Sequence, residues 1–176
     1  MEQHPGITAE QPRSGERRGG PLDIGEGFTE PGVTLFPTDP RRRAYLYWTD
    51  TVSLSRPRGV AIRDSGTAWR LPMPITIGTS MIELERLNGK PFPFSGFGWD
   101  YGGRAGGWDE GRLGSFLGPN LAFAAGFRER CPKSLAEHES REVYGDRIVS
   151  SSNRIARSLC PEVDEIWIEF RGEPPR

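Results

Sequence analysis

"VDEIWIEF", residues 163–170, has a period of two over its last six residues, with Ile166, Ile168 and Phe170 pointing one way and Glu165, Trp167 and Glu169 the other. A period of two marks a strand whose two faces meet different surroundings. The same period runs through "AYLYWTDTVSL" (44–54), where Leu46, Trp48, Val52 and Leu54 oppose Tyr45, Tyr47, Thr49 and Thr51. It returns in "LAFAAGF" (121–127), with Leu121, Phe123, Ala125 and Phe127 on one side and Gly126 at a bulge position. Shorter extended pieces are expected in "GVAIR" (59–63) and "TAWRL" (67–71), joined by a turn at Arg63-Asp64-Ser65-Gly66, and at residues 75–77.

Two segments carry helix punctuation. In "SMIELERLNGKPF" (80–92), Ser80 is an N-cap with Glu83 three positions on; Met81, Leu84 and Leu87 form a buried stripe, and Asn88-Gly89 is a left-handed stop before Pro91. "SSNRIARSLCP" (151–161) is a short helix capped by Ser152 or Asn153 and ended before Pro161. The fold class expected is α+β: a mainly antiparallel sheet with two short helices over part of one face, in a single domain of residues 28–172. Residues 1–27, polar and rich in Gly and Pro, read as a disordered tail, and 173–176 as a flexible C-terminus.

With 23 basic against 24 acidic residues, the chain has no overall positive field for a nucleic-acid backbone, so nucleic acid is not an expected partner. No stretch approaches the roughly 18 apolar residues of a transmembrane segment. Cys131 and Cys160 each precede a proline; they are either a disulfide, which requires an oxidising compartment, or two free thiols. Neither sits in a C-x-x-C redox setting.

"GFGWDYGGRAGGWDEG" (96–111) is the candidate site. As a strand, Phe97, Trp99 and Tyr101 would form one aromatic face and Gly96, Gly98 and Asp100 a nearly bare one; a glycine turn then leads into a second strand at Trp108, making a two-strand aromatic ribbon. Trp99, Tyr101 and Trp108 are the candidate binding residues, because planar rings bury much area at small entropic cost; the competing reading places them in the core. Asp100, Asp109 and Glu110 flank the turn and are the only candidate catalytic acids, as in a glycosidase-like hydrolase; the competing reading leaves them bonded to turn amides or facing water. His4 and His138 are the only histidines, so neither a nucleophilic triad nor a metal site is expected. The interleaved aromatics exclude a phosphate cradle, and no cofactor is expected. Arg41-Arg42-Arg43 is read as the solvated start of a strand or a contact for an anionic surface.

The run "IGTSMIELERLNGKPF" through "GFGWDYGG", with the late strand "VDEIWIEF", resembles a family of small uncharacterised bacterial proteins, many exported or lipid-anchored, over residues 33–170. The strand–Gly–Ser–helix–Gly–Pro unit is more loosely similar to one in outer-membrane assembly lipoproteins and β-lactamase-inhibitor-like domains, which bind proteins. The resemblance carries no functional residues with it. It implies a periplasmic or cell-envelope location, although no signal peptide is visible and a cytoplasmic location stays open. The expected function is a non-enzymatic module binding a protein or a glycan, with the carboxylate-based hydrolase as the alternative.

Overall fold

The computed structural model describes residues 15–25, 27–131 and 133–172. The regular structure is mainly antiparallel sheet. The strands are β1 (Arg17–Gly25), β2 (Phe28–Leu35), β3 (Ala44–Asp50), β4 (Ser55–Ile62), β5 (Pro93–Ser95), β6 (Arg104–Ala105), β7 (Leu121–Arg128), β8 (Ile148–Ser150) and β9 (Glu162–Phe170). Seven form one sheet in the order β1-β2-β3-β4-β9-β7-β6, and β5 pairs with β8 in a small separate ladder. Strand β9, the last among the described residues, thus lies in the interior of the sheet between β4 and β7.

Ile166 and Ile168 of β9, with Phe123 and Ala125 of β7 and Ile62 of β4, enter the main core. Helix α1 (Met81–Asn88) covers that face with Met81, Leu84 and Leu87. Its ends are as the sequence indicates: Ser80 Oγ accepts from the Glu83 amide at 3.1 Å, and Gly89 closes it at φ 86°. Glu83 does not complete a reciprocal capping box, because its carboxylate is held by Arg86. Helix α3 (Arg154–Ser158) begins at Asn153, whose Oδ1 accepts from the amides of Ile155 and Ala156. Asn88, 1% exposed, welds α1 to the loop beyond β6: Nδ2 donates to the carbonyls of Lys90 and Trp108, and Oδ1 accepts from the Leu113 amide.

Several expectations are corrected. Three short α-helices occur among the described residues where two were expected, the third being α2 (Glu137–Val143), where the Glu139 carboxylate accepts from the Ala136 amide. Residues 67–71 and 75–77 form no strand; Ile75 is buried as a loop residue. The disordered tail expected over residues 1–27 does not hold for Arg17–Gly25, which pairs with β2 through eight registered positions. Residues 1–14 and 173–176 lie outside the described residues. The aromatic ribbon does not form: Phe97 makes one isolated bridge to Tyr144, Gly98 turns at φ 78°, and only Arg104–Ala105 joins the sheet. Gly98 faces the Tyr144 ring rather than α1.

Cys131 and Cys160 form a disulfide, with Cα atoms 5.3 Å apart, tying the exit of β7 to the segment between α3 and β9. Such a bond suggests an oxidising compartment. Among the described residues, no helix is long and apolar enough to cross a membrane.

Candidate functional site

The face of the sheet turned away from the helices carries the other half of the alternation. Cross-strand register fixes two rows on it. In one row Arg104 pairs with Gly126 and Gly126 with Glu165, while Arg63 extends from the end of β4 to the other side of Glu165. In the next row Ala61 pairs with Trp167 and Trp167 with Ala124. Large side chains are therefore flanked by glycine and alanine, which leaves room above the floor.

Glu165 joins the first row together. It accepts from Arg63 Nε at 2.5 Å, and its other oxygen lies 3.4 Å from Arg104 Nη1, a reach made across Gly126. Arg63 Nη2 also donates to the Tyr47 hydroxyl at 2.9 Å. Tyr47, 1% exposed, meets Trp167 edge to face at a centroid distance of 5.1 Å. Burial pushes its phenol above the usual range, against the opposing pull of Arg63.

The β1–β2 hairpin arches over this face. Leu22 packs with Tyr47 and Ala61, the Asp23 carbonyl accepts from the Tyr47 hydroxyl at 2.9 Å, and Arg58 Nη2 lies 2.5 Å from Glu30 Oε1. At its tip Gly25 approaches Tyr101, since a Cβ there would stand 4.0 Å from that ring. The space enclosed is a groove of ≈ 180 Å³. Its lining includes Asp23 and Ile24 of the arch, Arg58, Arg63 and Arg104 at the sides, and Glu165 and Trp167 on the floor. A second depression shares Arg63, Arg104, Gly126 and Glu165 and extends the groove toward Asp100, Gly102 and Arg128.

Of the residues singled out in the sequence, Asp100 therefore borders the groove, and Trp99 and Tyr101 stand near it, 36% and 42% exposed and packed edge to face at 5.5 Å. Trp108 does not join them. It is 4% exposed, stacks on Phe123 at 4.9 Å and donates its indole N–H to the Phe123 carbonyl, which makes it a core residue. Asp109 and Glu110 follow it in left-handed turn conformations, and Asp109 lies 3.4 Å from Lys90, in a depression with Pro91 and Ile148. Anchoring Trp108 carries these two acids to the α1 side, so Asp100 and Asp109 line different depressions. Arg43 is tied into the loops by Asp64 at 2.9 Å, and the Arg42 guanidinium covers the Phe36 ring at 3.8 Å. His138 is exposed on α2; no group of three metal-ligating side chains occurs among the described residues.

Tyr47, Arg58, Arg63, Arg104, Glu165 and Trp167 are absent from the sequence-derived candidates. One signal for them was present: a tryptophan flanked by glutamates on the polar face of a strand has to be covered by something other than the core. Their convergence was not local, since Arg63 and Glu165 lie 102 residues apart. No family model matches the chain, and neither a curated protein nor a solved structure is similar to it.

Proposed function

We propose that the chain is a one-domain, non-enzymatic binding module of the bacterial envelope, which takes a glycan in the groove beneath the β1–β2 hairpin. The observation that supports this is the open sheet face itself. The helices leave it uncovered, and Trp167, Tyr47 and three arginines are collected there rather than dispersed. A half-buried indole offers a flat surface to the C–H face of a sugar ring, and guanidinium N–H groups bond to hydroxyl oxygens. Exposed Trp99 and Tyr101 extend the same chemistry to the rim. The Cys131–Cys160 disulfide suits an exported chain, in keeping with the bacterial family that the sequence resembles.

Co-sedimentation with purified peptidoglycan sacculi and with insoluble envelope polysaccharide tests the reading. Wild-type protein is expected to pellet with at least one of them, and Trp167→Phe together with Tyr101→Ala to reduce the bound fraction several-fold. Failure of the wild type to pellet with any, or retention undiminished by the two substitutions, overturns it.

A further inference from the structure

Resting on the glycan-binding reading, we infer that the groove recognises a sugar unit bearing a carboxylate, held by Arg58 and Arg104 above the Trp167 indole. The supply of guanidiniums is the first argument. The lining gathers three of them, against the carboxylates of Asp23 and Glu165 in the lining and of Glu30 on Arg58. Glu165 is shared between Arg63 and Arg104, so it satisfies neither completely.

The donors still open form the second. The 3.4 Å approach to Glu165 is the one polar contact of Arg104 among the described residues, and its side chain is 48% exposed. Arg58 gives Nη2 to Glu30, and its Nη1 meets no acceptor among the described residues. A planar guanidinium with free N–H groups matches the two oxygens of a carboxylate.

Geometry separates a sugar from an acidic peptide. An extended peptide gains its affinity by adding to a sheet edge, whereas this groove lies over the sheet face, where strand backbone is already paired. What the face offers is a flat floor of Ala124, Gly126 and Trp167. A volume of ≈ 180 Å³ is below the roughly 300–1,000 Å³ of sites that enclose a drug-sized ligand, so the groove takes one unit of a longer polymer while Tyr101 and Trp99 meet its neighbours.

The indole N–H signals of the five tryptophans in the isotopically labelled full chain report binding directly. The probes are oligogalacturonate, its methyl ester and an oligoglutamate of similar length. Oligogalacturonate is expected to shift the Trp167 signal, with the ester at least about tenfold weaker, as the loss of a charged hydrogen bond dictates. Arg104→Ala should weaken the acid at least about tenfold, and Arg141→Ala, an equal change of charge on exposed α2, should leave it unchanged. Equal binding of acid and ester leaves the glycan reading standing and overturns the carboxylate. A matching shift from oligoglutamate overturns the sugar. No shift from any probe overturns this inference, while sedimentation with sacculi decides the glycan reading separately.

Discussion

The indole of Trp167 lies over Gly59 so closely that a Cβ there would stand 2.6 Å from Cζ2 and 2.7 Å from the Ile168 carbonyl oxygen. Glycine at this position is thus what allows β4 and β9 to carry a tryptophan laid flat on the open face. Gly59→Ala is expected to lower stability by about 1–3 kcal/mol, as overpacking does, and to change the tryptophan fluorescence of the native state. Urea unfolding followed by fluorescence measures both; an unchanged midpoint and spectrum would mean that Trp167 is not seated there.

Leu22 is the buried aliphatic side chain that β1 contributes to holding the hairpin over the groove. Leu22 is 6% exposed against Tyr47 and Ala61, and Leu22→Ala should cost about 2–5 kcal/mol, toward the lower end because an edge strand can relax into the space. Thermal unfolding of the variant checks this. A midpoint equal to that of wild type would return Arg17–Gly25 to the status of a dispensable tail.

How much of this was legible depended on the reach of each signal. Capping at Ser80, Gly89 and Asn153 is written within a few neighbouring residues and is present, whereas the register shift at Gly126/Phe127 places its extra residue, Asp164, on β9 and breaks that strand's alternation before Glu165. The period of Gly96–Tyr101 misled, because alternation also arises when glycines serve turns: Gly98 has φ 78° and Gly103 φ 72°. Strand β1 could not be read from its polar, glycine-rich composition, since its order comes from pairing with β2 and from one leucine reaching Tyr47. Trp108 has the same local setting as Trp99, and only the distant Phe92 and Phe123 rings make it core. The groove itself is a product of register between β4, β9, β7 and β6.

The disulfide closes a loop with a sequence separation of 29. Cys131→Ala with Cys160→Ala is expected to lower stability by about 3–4 kcal/mol on the loop-entropy estimate, and reduction of the wild type by a comparable amount. Denaturant midpoints with and without reductant give the comparison. A loss below about 1 kcal/mol would contradict the loop-entropy account and show that the reduced, unfolded chain already keeps the two ends together.

Tyr144 gives a signature at alkaline pH. Burial and the adjacent Glu129 carboxylate, 2.5 Å from its hydroxyl, push this phenol up to about 12. A folded-state pKa above the ordinary value of 10.0 means that the contribution is complete below pH 10 and fades as pH rises toward 12. Tyr144→Phe should remove one tyrosine from the late component of a spectrophotometric titration, leaving that of Tyr47, and reduce the fall in stability over that interval. A late component of the same size in both proteins would place Tyr144 in solvent.

Hydrogen–deuterium exchange of the full chain, with and without soluble muropeptides released from sacculi, locates the ligand on the molecule. Binding in the groove predicts added protection in residues 22–25 of the arch, 101–105 around Arg104 and 124–126 of the floor, with α2 and the Trp69 loop unchanged. Protection confined to α2 and α3 or to the Trp69 loop, or no change anywhere while the muropeptides are bound, would contradict the assignment of the open sheet face as the binding site.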